Sequence, residues 1–99
     1  MIIRLVQMTF KQENVIKFKS IFEDKKEHIR AFHGCQYLEL LQGQDTKGNV
    51  FYTYSHWDSQ EDLDNYRHSH LFAETWKETK ALFSEKAQAI SLDRLHKLA

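Results

Sequence analysis

The sequence predicts an α+β fold in which one four-stranded antiparallel sheet carries helices on one face. Two observations lead there. Short segments with apolar side chains at alternate positions are interleaved with longer segments whose apolar spacing is three, four and seven. Their order along the chain is β-α-β-β-α-β, and 99 residues suit a single domain, 1–99, with one modest core.

The first segment, "IIRLVQMTF" at 2–10, places Ile2, Val6, Met8 and Phe10 on one side and Ile3 and Leu5 on the other. It is a strand with apolar groups on both faces. The period then changes. Val15, Phe18, Phe22, Ile29 and Phe32 form an apolar stripe among lysines and acids, so residues 13–32 are predicted to be an amphipathic helix. Gly34 follows, where a left-handed glycine can close it. "CQYLELLQ" at 35–42 and "VFYTYSHW" at 50–57 are strands joined by the hairpin loop "GQDTKGN". Next come two helix starts: Ser59 with Glu61 and Asp62 close behind, and Ser69 ahead of Leu71, Phe72, Trp76 and Phe83. The last strand is predicted at 87–95, "AQAISLDRL".

This order is the ferredoxin-like pattern. In a lone two-layer domain the uncovered sheet face should be polar. Here both faces are apolar: Ile3 and Leu5 lie opposite Val6 and Met8, Phe51 and Trp57 opposite Tyr52 and Tyr54, and Cys35, Tyr37 and Leu41 opposite Leu38 and Leu40. Each apolar side chain buried is worth about 1.5–3 kcal/mol, so the second face is expected to meet another subunit's sheet.

Composition narrows the function classes. Fourteen basic and fourteen acidic residues cancel, leaving no positive field for nucleic acid or an anionic membrane surface. No apolar run approaches the roughly 20 residues of a membrane helix. The single cysteine, Cys35, excludes an intramolecular disulfide, and the start of the chain lacks the pattern of a signal peptide. A cytoplasmic location is expected.

The chemistry-bearing residues crowd into "HWDSQEDLDNYRHSH", residues 56–70, with three histidines, a tryptophan and a tyrosine. His68 and His70 are two apart, about 200° around a helix, so they cannot share a metal on a regular helix, and no HExxH or CxxC motif is present. No metal is expected. As a structural segment, Ser69 caps a helix and the imidazoles are solvated. As a site, Phe72, Trp76 and Phe83 face the sheet, and the polar tips of Tyr54, Tyr66 or His70 complete an aromatic pocket for a flat, partly apolar ligand. The aromatics could equally fill a core. Trp76 is the stronger candidate because a buried indole needs a partner for its N–H. His28 and His33 are charges favourable near a helix C-terminus, and Cys35 is a small buried strand residue.

A unit of this order and length, with "HGCQYLELLQ" after the first helix and "YSHWDSQEDLDNYRHSHLF" running from the third strand into the second helical region, resembles the antibiotic biosynthesis monooxygenase (ABM) domain of the dimeric α+β barrel superfamily. Gly34 with Cys35, Trp57 closing the third strand, and the pattern of Ser59, Leu63 and Phe72 carry the resemblance by their order and spacing. It implies a homodimer with sheets packed face to face and a small apolar cavity between sheet and helices in each subunit. Some members oxidise aromatic polyketides with dioxygen and no flavin or metal; others degrade haem or act on small signalling or quinone-like molecules; many have no known activity. Where haem-degrading members carry a tryptophan and an iron-ligating histidine, this sequence has Tyr66 and Trp76, and its first strand has no asparagine. An indole N–H only donates, so haem chemistry of that kind is not expected. Another branch carries histidines at the place of Tyr66 and near Leu71; here His68 and His70 stand nearby but out of step.

Oxygenation without a cofactor needs a base to ionise the substrate, donors for the resulting oxyanion, and a pocket that excludes water. The candidates for the catalytic groups are His70, Tyr66 and His56, and those for ligand binding are Trp57, Trp76, Tyr54, Phe72 and His68. The function expected is a cofactor-independent monooxygenase acting on a small aromatic or quinol-like molecule. The alternatives are a non-catalytic or stress-associated homodimer that binds a small hydrophobe, and a structural dimerisation module whose pocket is filled by its own side chains.

Overall fold

The computed structural model describes residues 1–44 and 46–99. Strand β1 (Ile2–Thr9) leads through a 3-10 turn at Gln12–Asn14 into helix α1 (Val15–Arg30). Strands β2 (Cys35–Gln42) and β3 (Val50–Trp57) form the hairpin, helices α2 (Gln60–Arg67) and α3 (His70–Lys80) follow, and β4 (Gln88–Asp93) closes the order. Asp45, in the predicted "GQDTKGN" loop, lies outside the described residues. All neighbouring strands are antiparallel and the sheet order is β2-β3-β1-β4. This is the ferredoxin-like α+β arrangement expected, with the second helical region divided in two.

Local chemistry explains the boundaries. Helix α1 starts two residues later than its apolar stripe suggests because Asn14 N–H donates to Lys11 O at 2.9 Å, a tighter turn than an α-helix allows. The Asn14 amide meanwhile donates to Leu82 O at 3.3 Å, fixing the helix entrance to the segment before β4. At the other end Phe32 N–H donates to Ile29 O at 3.1 Å, and Gly34 turns the chain at φ 89°. A Cβ on Gly34 would land inside the Asp62 side chain. Both the backbone angle and the close approach of α2 therefore require glycine there. Ser59 and Ser69 are the two caps predicted: each Oγ accepts a backbone N–H at 3.1 Å, from Asp62 and Phe72 respectively. Ser69 Oγ also donates to Tyr66 O at 2.6 Å, which ties the end of α2 to the start of α3.

Strand β2 departs from simple alternation. Cys35 pairs with Trp57 and Tyr37 with His56, so a bulge falls between Cys35 and Tyr37. The extra residue turns Cys35 to the helix side along with Leu38 and Leu40, and leaves Tyr37 and Leu41 on the other face. The expected grouping of Cys35 with Tyr37 and Leu41 is corrected accordingly.

The helix-covered side holds two separate apolar clusters. One gathers Met8, Phe10, Phe18, Phe51 and Leu82, with Phe10 stacked on Phe18 at a ring separation of 4.2 Å. The other gathers Cys35, Trp57 and Leu63, with Phe32 and Tyr66 packed against it. Among the described residues no helix covers the opposite face. There Tyr37, Leu41, Ile90 and Leu92 are 42%, 43%, 50% and 43% exposed, far above what core side chains show.

Candidate functional site

A cavity of about 320 Å³ opens between the two apolar clusters, bounded by the sheet and by all three helices. Its aromatic wall is continuous. Tyr66 stacks on Trp57 with centroids 4.8 Å apart and planes 25° apart; Phe72 meets Tyr66 edge-on at 5.3 Å; Trp76 lies parallel to Phe72 at 5.8 Å and 10°. These rings converge because Trp57 ends β3 on the helix-facing side while the Ser69 cap turns α3 so that Phe72 and Trp76, four residues apart, lie on one helix face.

The polar groups of the cavity come from both the sheet and the helices. Arg4, Thr53 and Ser55 lie side by side across β1 and β3, while Arg67, Thr75 and Thr79 come from α2 and α3. Arg4 is half-buried and its guanidinium donates to Ser91 Oγ at 3.3 Å. Burial, and after it the charge of Arg67, hold the Arg4 pKa below that of an exposed arginine. The Trp57 indole N–H donates to Ser55 Oγ at 3.0 Å. Thr79 Oγ1 donates to Thr75 O at 2.8 Å, whereas Thr75 Oγ1 is buried against the cavity without a partner. Burial first, and the neighbouring Cys35 second, push the Tyr66 phenol far up. It therefore stays protonated near neutral pH, as a hydrogen-bond donor. Among the described residues, no imidazole and no carboxylate lines the cavity. Among the described residues, no three His, Cys, Asp or Glu side chains gather closely enough to hold a metal ion.

The sequence matches the model of the family described as Antibiotic biosynthesis monooxygenase over residues 1–78. The chain belongs to the ABM family. Solved structures agree on the fold of this ABM domain. Rv0793 from Mycobacterium tuberculosis superposes with a TM-score of 0.89 at 15% identity, covering 99% of this chain and 98% of that one. PA3566 from Pseudomonas aeruginosa gives 0.83 at 18% identity over 96% and 94%. A variant of SnoaB, a cofactor-independent oxygenase from Streptomyces nogalater, gives 0.86 at 15% identity over 98% and 95%. Among curated proteins, none matches the chain by sequence.

Within the ABM domain, the candidates named from sequence divide between three places. Trp57, Tyr66, Phe72 and Trp76 line the cavity together. The fully buried indole is that of Trp57, 1% exposed, and its N–H is satisfied by Ser55, whereas Trp76 is only half-buried. Tyr54 and His56 project from the uncovered sheet face, because strand parity places both opposite to Trp57. They cluster there with Tyr37, at 6.1 Å from Tyr54 and 4.9 Å from His56, and Arg94 lies 3.2 Å from His56 Nδ1. His68 and His70 sit at the junction of α2 and α3 and are exposed. His68 Nδ1 is 2.8 Å from Asp64 O, and the 93% exposed His70 side chain has Nε2 3.5 Å from Glu74 Oε2 on its own helix. Neither lines the cavity.

Arg4, Arg67, Ser55, Thr53 and Thr75 were not among the candidates. One signal for them was available: Arg4 falls on the inward parity of β1, between Ile2 and Val6, where a charge stands alone in an apolar row.

Proposed function

We propose that this ABM domain is a cofactor-independent monooxygenase that binds a small, flat aromatic or quinol-like molecule between Trp57, Tyr66, Phe72 and Trp76. The observation that carries the reading is the cavity itself: a partly open aromatic slot with a few donors at fixed positions, bounded by sheet and helices. A cavity of about 150 Å³ holds benzene, so about 320 Å³ suits two or three fused rings. The oxygenase named among the neighbours supports the reaction class.

In such a reaction the substrate supplies all four electrons that reduce dioxygen. Its ionised form passes one electron to dioxygen, the radical pair joins through a carbon–oxygen bond, the peroxide takes back the proton lost on ionisation, and the hydroperoxide loses water, so that SH2 and O2 become S=O and H2O. The chain's part is to exclude water with the aromatic wall and to stabilise developing negative charge with Tyr66 O–H and the Arg4 guanidinium. Screening quinols and polyphenols for uptake of isotopically labelled dioxygen tests this. Oxygen consumption that depends on substrate and survives chelation, with label in the product, is the expected result; no incorporation across the screen overturns it.

A second reading is a ligand-binding domain without turnover, favoured by the absence of any imidazole or carboxylate from the cavity lining. It predicts thermal stabilisation by a ligand that is recovered unchanged.

We further propose that the protein is a homodimer joined through the uncovered sheet faces, supported by the exposure of Tyr37, Leu41, Ile90 and Leu92 on one layer. The buried free thiol of Cys35 suits a reducing compartment, and we place the protein in the cytoplasm.

A further inference from the structure

We infer that the molecule held in this cavity is an anion, a flat aromatic or conjugated ring system bearing a carboxylate, enolate or phenolate that Arg4 and Arg67 receive. The inference rests on the reading of the cavity as a binding site and adds the charge of its occupant. Two guanidiniums line one small, largely apolar cavity, and among the described residues neither has a carboxylate oxygen within 4.0 Å. Arg4 is the telling one. It is half-buried, carries five N–H donors, and meets a single neutral acceptor, Ser91 Oγ. A half-buried cation without an anionic partner keeps part of its desolvation penalty uncompensated, and negative charge in the cavity offsets it. Arg67, at the last turn of α2, adds a like charge to the same space, which is unfavourable in the free protein and is relieved when negative charge lies between the two.

The remaining polar groups point the same way. Tyr66 O–H stays protonated and is a donor, and Thr75 Oγ1 is buried on the cavity wall with no partner. Among the described residues no acid lines the cavity to repel an anion and no imidazole or carboxylate lines it to generate one, so the occupant arrives ionised or ionises in the field of the two arginines. The aromatic body then stacks along Trp57, Tyr66 and Phe72 with its acidic group toward the sheet residues Arg4 and Ser55.

Calorimetry at neutral pH with three isosteric probes tests this: naphthoate, naphthamide and naphthylmethylammonium. Naphthoate is expected to bind at least about tenfold more tightly than naphthamide, as a charge-assisted contact provides, and the ammonium more weakly than either. The preference for naphthoate over naphthamide should shrink in Arg4→Gln and in Arg67→Gln, and retained binding of naphthamide by each variant reports an intact cavity. Should Arg4→Gln fail to fold, Arg67→Gln, altered at an exposed side chain, decides by the same comparison. Equal affinity for naphthoate and naphthamide, or a preference that survives the substitutions, overturns the inference and leaves the binding site standing. No binding of any probe overturns both. Preference for naphthoate with no oxygenation of any quinol upholds the anion site and removes the oxygenase reading.

Discussion

The indole N–H of Trp57 donates to Ser55 Oγ at 3.0 Å, from one inward-facing position of β3 to the preceding one. Both are buried, with Ser55 6% and Trp57 1% exposed. Ser55→Ala is expected to leave a buried donor unmet and to cost about 1–3 kcal/mol. A urea titration reads this as a lower midpoint with an unchanged slope. A midpoint equal to wild type would show that the indole finds another acceptor.

Thr75 is the converse case. Its Oγ1 is buried without a partner, so the shape-conserving Thr75→Val should leave stability unchanged or raise it by up to about 1 kcal/mol. Ligand affinity should fall two- to tenfold, about the worth of one neutral hydrogen bond. Thermal melting and calorimetry with the probes above read the two quantities separately. Loss of stability together with unaltered affinity would assign the hydroxyl to the fold.

The uncovered sheet face carries its own prediction. Ile90 and Leu92 stand on β4 opposite Leu5 and Ile3, and their exposure in the single chain is what a partner sheet would remove. Ile90→Lys or Leu92→Lys should weaken self-association by tenfold or more, since each apolar side chain kept from water is worth about 1.5–3 kcal/mol. Sedimentation velocity across a dilution series is the measurement. A wild-type protein that stays monomeric at all concentrations would refute the homodimer.

His56 supplies the pH dependence. Burial, followed by the charges of Arg94 and Lys97, lowers its pKa from the ordinary 6.5, with Glu39 opposing. The unfolded chain then binds the proton more readily than the folded one, so the stability present above about 6.5 is lost as pH falls through the lower folded value. Thermal midpoints of wild type should decline on acidification through this window more steeply than those of His56→Gln. Parallel curves would clear His56 of a role.

Most of the architecture was legible in the sequence, for reasons that differ by element. Strand alternation in "IIRLVQMTF" and the serines ahead of α2 and α3 carry their structure locally, so reading them needs no tertiary information. The β2 bulge leaves no periodic trace, and only pairing with β3 reveals that Cys35 faces the helices. The aromatic wall was legible because Trp57, Tyr66, Phe72 and Trp76 are large and occupy the right helical or strand phase. Tyr54 and His56 were separable from it by parity alone, since an inward Trp57 turns its immediate neighbour outward. Arg4 was less legible: a charge within an apolar strand looks like an interruption of the pattern, and its meaning depends on Arg67, distant in sequence and adjacent to the same space.

The gap separating the two apolar clusters has a consequence for how this scaffold changes over time. Leu38, Thr53 and Ala89 border the gap and belong to neither cluster, so they can swap size without undoing either half. Tolerance of that kind separates the demands of folding from those of guest selection. A single well-filled interior of the same length would forbid such drift.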